Sequence, residues 1–240
     1  MPVEGMSLNG ALKDLVLRPA TLAKTGGSAL LQSQGMVTAE GLGTVFAANV
    51  FGHYVMVREL EQLLSQSGDA RVIWFSSTSA EPQMFQLSDW QGLKSLNPYE
   101  SSKRLCELIC FATHDRLAKK RIHSFVVSPG VVNSNIAGGF IHSVILFIIL
   151  VFLRLMGISG INISPKNGAS SALFIAFIDN PLGLDHTKVY HSEINRFGRR
   201  SVVPLTVHRE TDAVYTSLVD AFDYLYRKLR DIAYEEDIIN

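Results

Sequence analysis

The chain has 240 residues, enough for one α/β domain with a sizeable core, because a domain of this size buries well over half of its extended surface. Its 22 Lys and Arg residues balance 22 Asp and Glu, which excludes the basic field of a nucleic-acid binder and an acidic tail. Its two cysteines, Cys106 and Cys110, stand four apart without a matching histidine pair, so reduced, packed thiols in reducing surroundings fit better than a disulfide or a zinc site.

In chain order, residues 1 to about 38 scatter Gly5, Gly10, Gly26, Gly27 and Gly35 through mixed polarity, the pattern of loop with a weak helix. The first residues lack the basic-then-apolar pattern of a cleavable secretory signal. From Thr38 a long helix is predicted, opened by Ala39 and Glu40, with Leu42, Val45, Phe46, Val50, Tyr54, Val57, Leu60 and Leu64 at three- and four-residue spacing, and closed by Gly68. The run Arg71 to Phe75 switches abruptly to Ser76-Ser77 and reads as a strand buried on both faces. The stretch from Glu81 to Pro98 is longer than a compact connection needs, so it is expected to line something.

A helix then runs from Tyr99 through Leu105, Leu108, Ile109 and Leu117 to the basic cluster Lys119-Lys120-Arg121, which suits a helix C-terminus. A second apolar strand, Ile122 to Val127, leads into Ser128-Pro129-Gly130, and strand, helix and strand make a parallel βαβ unit. Ligands of such sheets bind outside the carboxyl ends of the strands, where Ser76, Ser77 and the Pro129-Gly130 turn fall. Phe140 to Leu153 is apolar except for His142 and Ser143, and Arg154 closes it. Its uninterrupted part, Val144 to Leu153, falls short of the ~20 residues of a single helical span, which leaves a buried helix or a membrane-dipping segment. A helix from about Pro165 to Phe177, an extended piece around Lys188 to Tyr190, a polar loop, and a helix from Thr211 to about Ala233 complete the chain.

Chemistry concentrates in Asn97-Pro98-Tyr99-Glu100-Ser101-Ser102-Lys103, where a phenol and an ammonium stand four residues apart on one helical face, just after a pre-helical proline. A lysine beside a tyrosine favours the phenolate and lowers the phenol pKa from its ordinary value of about 10, which makes the phenol a usable proton donor to a carbonyl. That spacing also occurs on ordinary surface helices, so its surroundings decide its meaning.

Four features in fixed order resemble the short-chain dehydrogenase/reductase family: Asn49 in a long helix, Ser76-Ser77 ending a strand, Tyr99 with Lys103, and Ser128-Pro129-Gly130 ending the next strand. The resemblance implies that Tyr99 is the general acid toward a substrate carbonyl, and that Lys103 lowers its pKa and holds the nicotinamide ribose. It implies that Ser77 hydrogen-bonds the substrate oxygen, although Ser77 lies farther from Tyr99 than the family's spacing, which leaves Ser88 as the alternative. It further implies that Asn49 supports a proton relay through water and Lys103, and that Pro129, Gly130, Val132 and Ser134 lie beside the nicotinamide carboxamide. Asn49 to Tyr54, Arg58 to Glu61, Asp89-Trp90-Gln91, Ser164 to Gly168 and Phe197-Gly198-Arg199 narrow the likeness to the 3-keto-steroid reductase/17β-hydroxysteroid dehydrogenase type 7 branch. Members of that branch reduce a 3-keto sterol with NADPH at the endoplasmic reticulum membrane. The branch thus implies a steroid ketone substrate, a location on the cytosolic face of that membrane, and residues 140–157 as the membrane- or substrate-facing segment. It names a second copy of the chain or other sterol-synthesis enzymes as partners, and no nucleic acid.

The family's Gly-rich phosphate turn finds no match, because Gly26-Gly27 and Gly41-x-Gly43 follow no apolar strand and lack the third glycine. The family fold therefore implies an α/β, Rossmann-like, doubly wound parallel sheet that is incomplete, one partial domain over 1–240 lacking its first strands. Met1-Pro2 resembles the point just after the family's Asn-Ala-Gly strand end, and the first strand present is expected to have an exposed edge that invites pairing. Three readings stay open: an NADPH-dependent 3-keto-steroid reductase, a truncated isoform without catalysis acting by association, and a short-chain reductase of another carbonyl.

Overall fold

A parallel strand–helix–strand unit sets the frame of the computed structural model, which describes residues 3–6, 13–14, 17, 30–133, 143–158 and 160–239. Val3–Met6 (β1) and Leu30–Gln32 (β2) form an antiparallel pair. Thr44–Phe46 (α1), a π-helical turn Ala47–Phe51 and Gly52–Gln66 (α2) run on as one rod into Ala70–Phe75 (β3). Pro98–Ala118 (α3) leads to Ile122–Ser128 (β4) and Val131–Val132 (β5). Ser143–Leu155 (α4), Ile161–Ile163 (β6), Pro165–Gly168 (α5) and Ser170–Phe177 (α6) follow. Lys188–Ile194 (β7), Arg200–Thr206 (β8) and Asp212–Ile239 (α7) complete it.

The main sheet has the order β3-β4-β7-β8. The first three strands are parallel, with β3 aligned on β4 from Ala70↔Ile122 to Phe75↔Val127, while β8 returns antiparallel to β7. Strand β4 is buried along its whole length, because it has a neighbour on each side and helices on both faces. Its alternation divides the core. Val126 joins the cluster of α2, α3 and α7, and Phe125 and Val127 pack with Ile175 of α6.

Phe222 of α7 is the centre of the larger cluster, with its ring 5.4 Å from Phe46, 5.9 Å from Phe51, 5.1 Å from Tyr54 and 5.5 Å from Trp90. Polar ties flank it: Tyr54 and Arg58 both donate to Asp223, and the Tyr226 hydroxyl donates to Glu59 at 2.6 Å. Helix α7 therefore locks α2 in place beside α3.

Four expectations change. The long helix begins at Thr44 rather than Thr38, because the Thr38 amide and hydroxyl both bond Leu42 and Gly41 takes φ +78°, closing a turn instead. The expected Pro165–Phe177 helix divides after Gly168. The polar loop after Tyr190 is in fact the end of β7 and all of β8, whose apolar run Val202 to Leu205 is the strand signal. Residues 1–38, read as loop and weak helix, include the β1–β2 pair. The Gly26-Gly27 dipeptide lies outside the described residues.

The predicted free edge is present: β3 pairs only with β4 among the described residues. Because the Ser76 amide donates to Val127, alternation turns the backbone groups of Ile73 and Phe75 to the unpaired side. Helix α4 packs Leu150 and Leu153 on Ile161 and turns Phe147, Ile148, Phe152 and Leu155 outward, while residues 140–142 of the apolar segment lie outside the described residues. Among the described residues no helix is long and apolar enough to cross a membrane.

Removing the central ring should unlock α7. Phe222→Ala is expected to cost about 3–5 kcal/mol, read as a lower urea midpoint with an unchanged slope.

Candidate active site

The site forms where β3 ends against the first turns of α3. Pro98 starts α3, and the side-chain carbonyl of Gln32 accepts the otherwise orphaned Tyr99 amide at 3.0 Å. The Gln32 amide donates to Glu100 at 2.6 Å, so β2 is tied to the start of this helix. Tyr99 is half-buried, and Ser77 is the hydroxyl near enough to its phenol to influence its ionisation. Ser77 is itself steadied by Ser79, whose hydroxyl lies 2.9 Å away and whose amide donates to it at 3.2 Å. Ser88 is exposed on the 3₁₀ turn Leu87–Asp89, so Ser77 rather than Ser88 meets Tyr99.

Lys103 stands one turn after Tyr99, with its Nζ 5.6 Å from the ring centroid and donating to the Phe75 carbonyl at 3.0 Å. The expected lowering of the phenol by this lysine is not what the structure gives. Burial pushes the Tyr99 phenol above its ordinary value; the Ser77 hydrogen bond pulls it back, and the Glu100 carboxylate pushes it further up. Lys103 is not among the groups that move the phenol; its Nζ is committed to a strand carbonyl.

Asn49 occupies the π-helical turn before α2. Its side-chain amide donates to Ser102 Oγ at 2.9 Å, and that hydroxyl donates to the Tyr99 carbonyl at 2.7 Å, which satisfies the polar group inside the packed helix pair. Asn49 and Lys103 line one open groove of about 300 Å³ with His53, Met56, Phe75 and Cys106. The two cysteines are free and buried, as expected of packed thiols, and burial raises Cys106 to about 11 and Cys110 to about 12.

The Pro129-Gly130 turn lies at the end of β4. Asn162 donates to the Pro129 carbonyl at 2.6 Å, and Gly130 has φ +67°, where a Cβ would stand 2.4 Å from the Gly160 carbonyl oxygen. Only glycine fits that turn. Val132 follows in β5, paired with β6, and its side chain packs over Gly168. Ser134 lies outside the described residues. Among the described residues no cluster could hold a metal ion.

Two features escaped sequence reasoning. Gln32, in a stretch without periodicity, caps α3. Glu107, one turn beyond Lys103, accepts a hydrogen bond from buried Ser76 at 2.6 Å. The continued four-residue spacing of 99, 103 and 107 was the available signal for the second.

No family model matches the chain. It is 32% identical over 237 residues to a 3-keto-steroid reductase of Eremothecium gossypii, covering 98% of this chain and 65% of that protein. It is 31% identical over 186 residues to 3-keto-steroid reductase/17-beta-hydroxysteroid dehydrogenase 7 of Homo sapiens, covering 76% of this chain and 54% of that protein. The chain thus spans less than two thirds of the length of either relative. A solved structure of an uncharacterized protein from Mycobacterium paratuberculosis shares the fold, with TM-score 0.56 and 18% identity over 81% of this chain and 63% of that one.

The raised phenol has a measurable sign. Unfolded tyrosine ionises near about 10 and folded Tyr99 higher, so this group's contribution to stability is whole below that pH and is lost as pH rises through the folded value. Tyr99→Phe is therefore expected to weaken the alkaline loss of stability, seen by comparing urea midpoints at neutral pH and above about pH 10.

Proposed function

We propose that this chain, a homologue of the 3-keto-steroid reductases, carries the proton-donating half of an NADPH-dependent reduction of a steroid 3-ketone. The observation that supports it most directly is the meeting of Ser77, Tyr99 and Lys103 at the carboxyl end of β3. A phenol held above its ordinary pKa is neutral at physiological pH, so Tyr99 carries the proton that a ketone oxygen must receive. Ser77, beside the phenol, donates to the same oxygen. As the proton leaves Tyr99 Oη for the ketone oxygen, the ammonium of Lys103 and the Ser77 hydrogen bond stabilise the phenolate that remains.

A bound nicotinamide would supply the hydride to the carbonyl carbon. The residues present fit its nicotinamide–ribose end: Lys103 borders a groove, and Pro129, Gly130 and Val132 form a close-packed turn with no room for a side chain at Gly130. Ser134 is assigned to the same end by the family likeness. Asn49 shares the groove with Lys103 and supports the lysine's proton supply, its amide fixed by Ser102.

The outward apolar face of α4 supports association with the cytosolic face of the endoplasmic reticulum membrane, where a sterol would partition. A second reading is favoured by the open edge of β3: the chain acts by pairing with another copy or with sterol-synthesis enzymes, without turnover of its own.

Fluorescence titration of the purified chain separates the two. Saturable NADPH binding, with ketone-dependent NADPH consumption that falls by roughly 10²–10⁴-fold in Tyr99→Phe, is the expected result. Failure to bind NADPH supports the second reading. Comparing a 3-keto sterol with short-chain carbonyls tests the substrate class.

A further inference from the structure

Helix α3 presents Tyr99, Lys103 and Glu107 as one stripe, each a turn apart. Each holds one group at the end of β3. Tyr99 meets the Ser77 hydroxyl, Lys103 takes the Phe75 carbonyl at 3.0 Å, and Glu107 Oε1 accepts from Ser76 Oγ at 2.6 Å. Ser76 is fixed on two further sides: its amide donates to the Val127 carbonyl at 2.8 Å, and its hydroxyl lies 3.4 Å from the Lys103 carbonyl.

Glu107 is held in turn. Arg104 Nη1 donates to Glu107 Oε2 at 2.8 Å, and Arg104 Nη2 donates to the His208 carbonyl at 2.5 Å and stands 3.5 Å from Glu210. Both side chains are buried, Arg104 at 0% and Glu107 at 2% exposure. Stability alone is a weak account of them, because desolvating each ion costs on the order of several kcal/mol and an apolar pair of equal volume is often as stable. Leu105, Leu108 and Ile109 already supply the core here. What the charged pair adds is direction, since it fixes one carboxylate oxygen where a single serine hydroxyl must come.

The strand ends at Phe75, and beyond it two consecutive side chains that a continuing strand would send to opposite faces both reach α3. Anchoring the first therefore sets the place of the second. We propose that Glu107, steadied by Arg104, is a positioning residue that holds Ser77 against Tyr99 by fixing Ser76. Its use in catalysis rests on the reductase reading, whereas the geometric coupling does not.

Ser76→Ala is the first test, since it deletes one hydroxyl and leaves the ion pair in place. Tyrosines are labelled with carbon-13 at Cζ, and Tyr99 is assigned by the signal lost in Tyr99→Phe. The expected result is a displaced Tyr99 resonance at neutral pH and a raised alkaline midpoint, in the same direction as in Ser77→Ala. Glu107→Gln, which keeps an acceptor at Oε1, should leave the resonance nearer the wild-type position than Glu107→Leu does. If Glu107→Leu does not fold, Ser76→Ala decides alone. A Tyr99 resonance and midpoint unchanged in Ser76→Ala overturn the proposal. Neither readout uses turnover, so an inactive chain counts against the reductase reading and leaves this result to stand by itself.

Discussion

The rest of the structure depends on the burial of α3 around nearly its whole circumference. Leu105, Leu108, Ile109 and Cys110 are fully enclosed between the sheet and the helices α2 and α7, and Arg104 and Glu107 are enclosed with them. A helix buried on one face can roll a little without cost, but this one cannot. Any rotation would drive the paired charges against apolar neighbours or bring leucines to the surface. Tyr99 and Lys103 inherit that fixed orientation, because they continue the same helix into the open end of the sheet.

Much of this was legible because the physics is local. The apolar run before Ser76, the four-residue spacing after Pro98 and the glycine after Pro129 each name an element and its end. The parallel unit followed from them, and so did the preference for Ser77, since a serine that terminates a strand lies where a helix of the next layer begins. What escaped needed a partner distant in sequence. Gln32 reads as a loop residue until it meets α3, and the short apolar run of β8 is hidden by its polar flank Arg199-Arg200-Ser201. Thr38 stands where the long helix is expected to begin, but its hydroxyl closes a turn with Leu42 instead.

The electrostatics of the phenol show where motif reasoning stops. A lysine one turn away suggests a lowered pKa, but this one bonds a strand carbonyl and the phenol answers chiefly to its own burial. The same enclosure raises both thiols. Asn49 shows the converse: a polar group inside packed helices is tolerated because Ser102 lies within hydrogen-bond reach.

The two edges of the main sheet are unlike. On one side β8 carries Pro204, which has no N–H to offer a further strand. On the other, β3 has no strand on its outward side among the described residues, and Lys103 occupies its outward Phe75 carbonyl. A sheet with two open edges can add chains without limit, as fibres do. Pro204 removes a donor from the β8 edge, so among the described residues the β3 edge is the better template for a further strand.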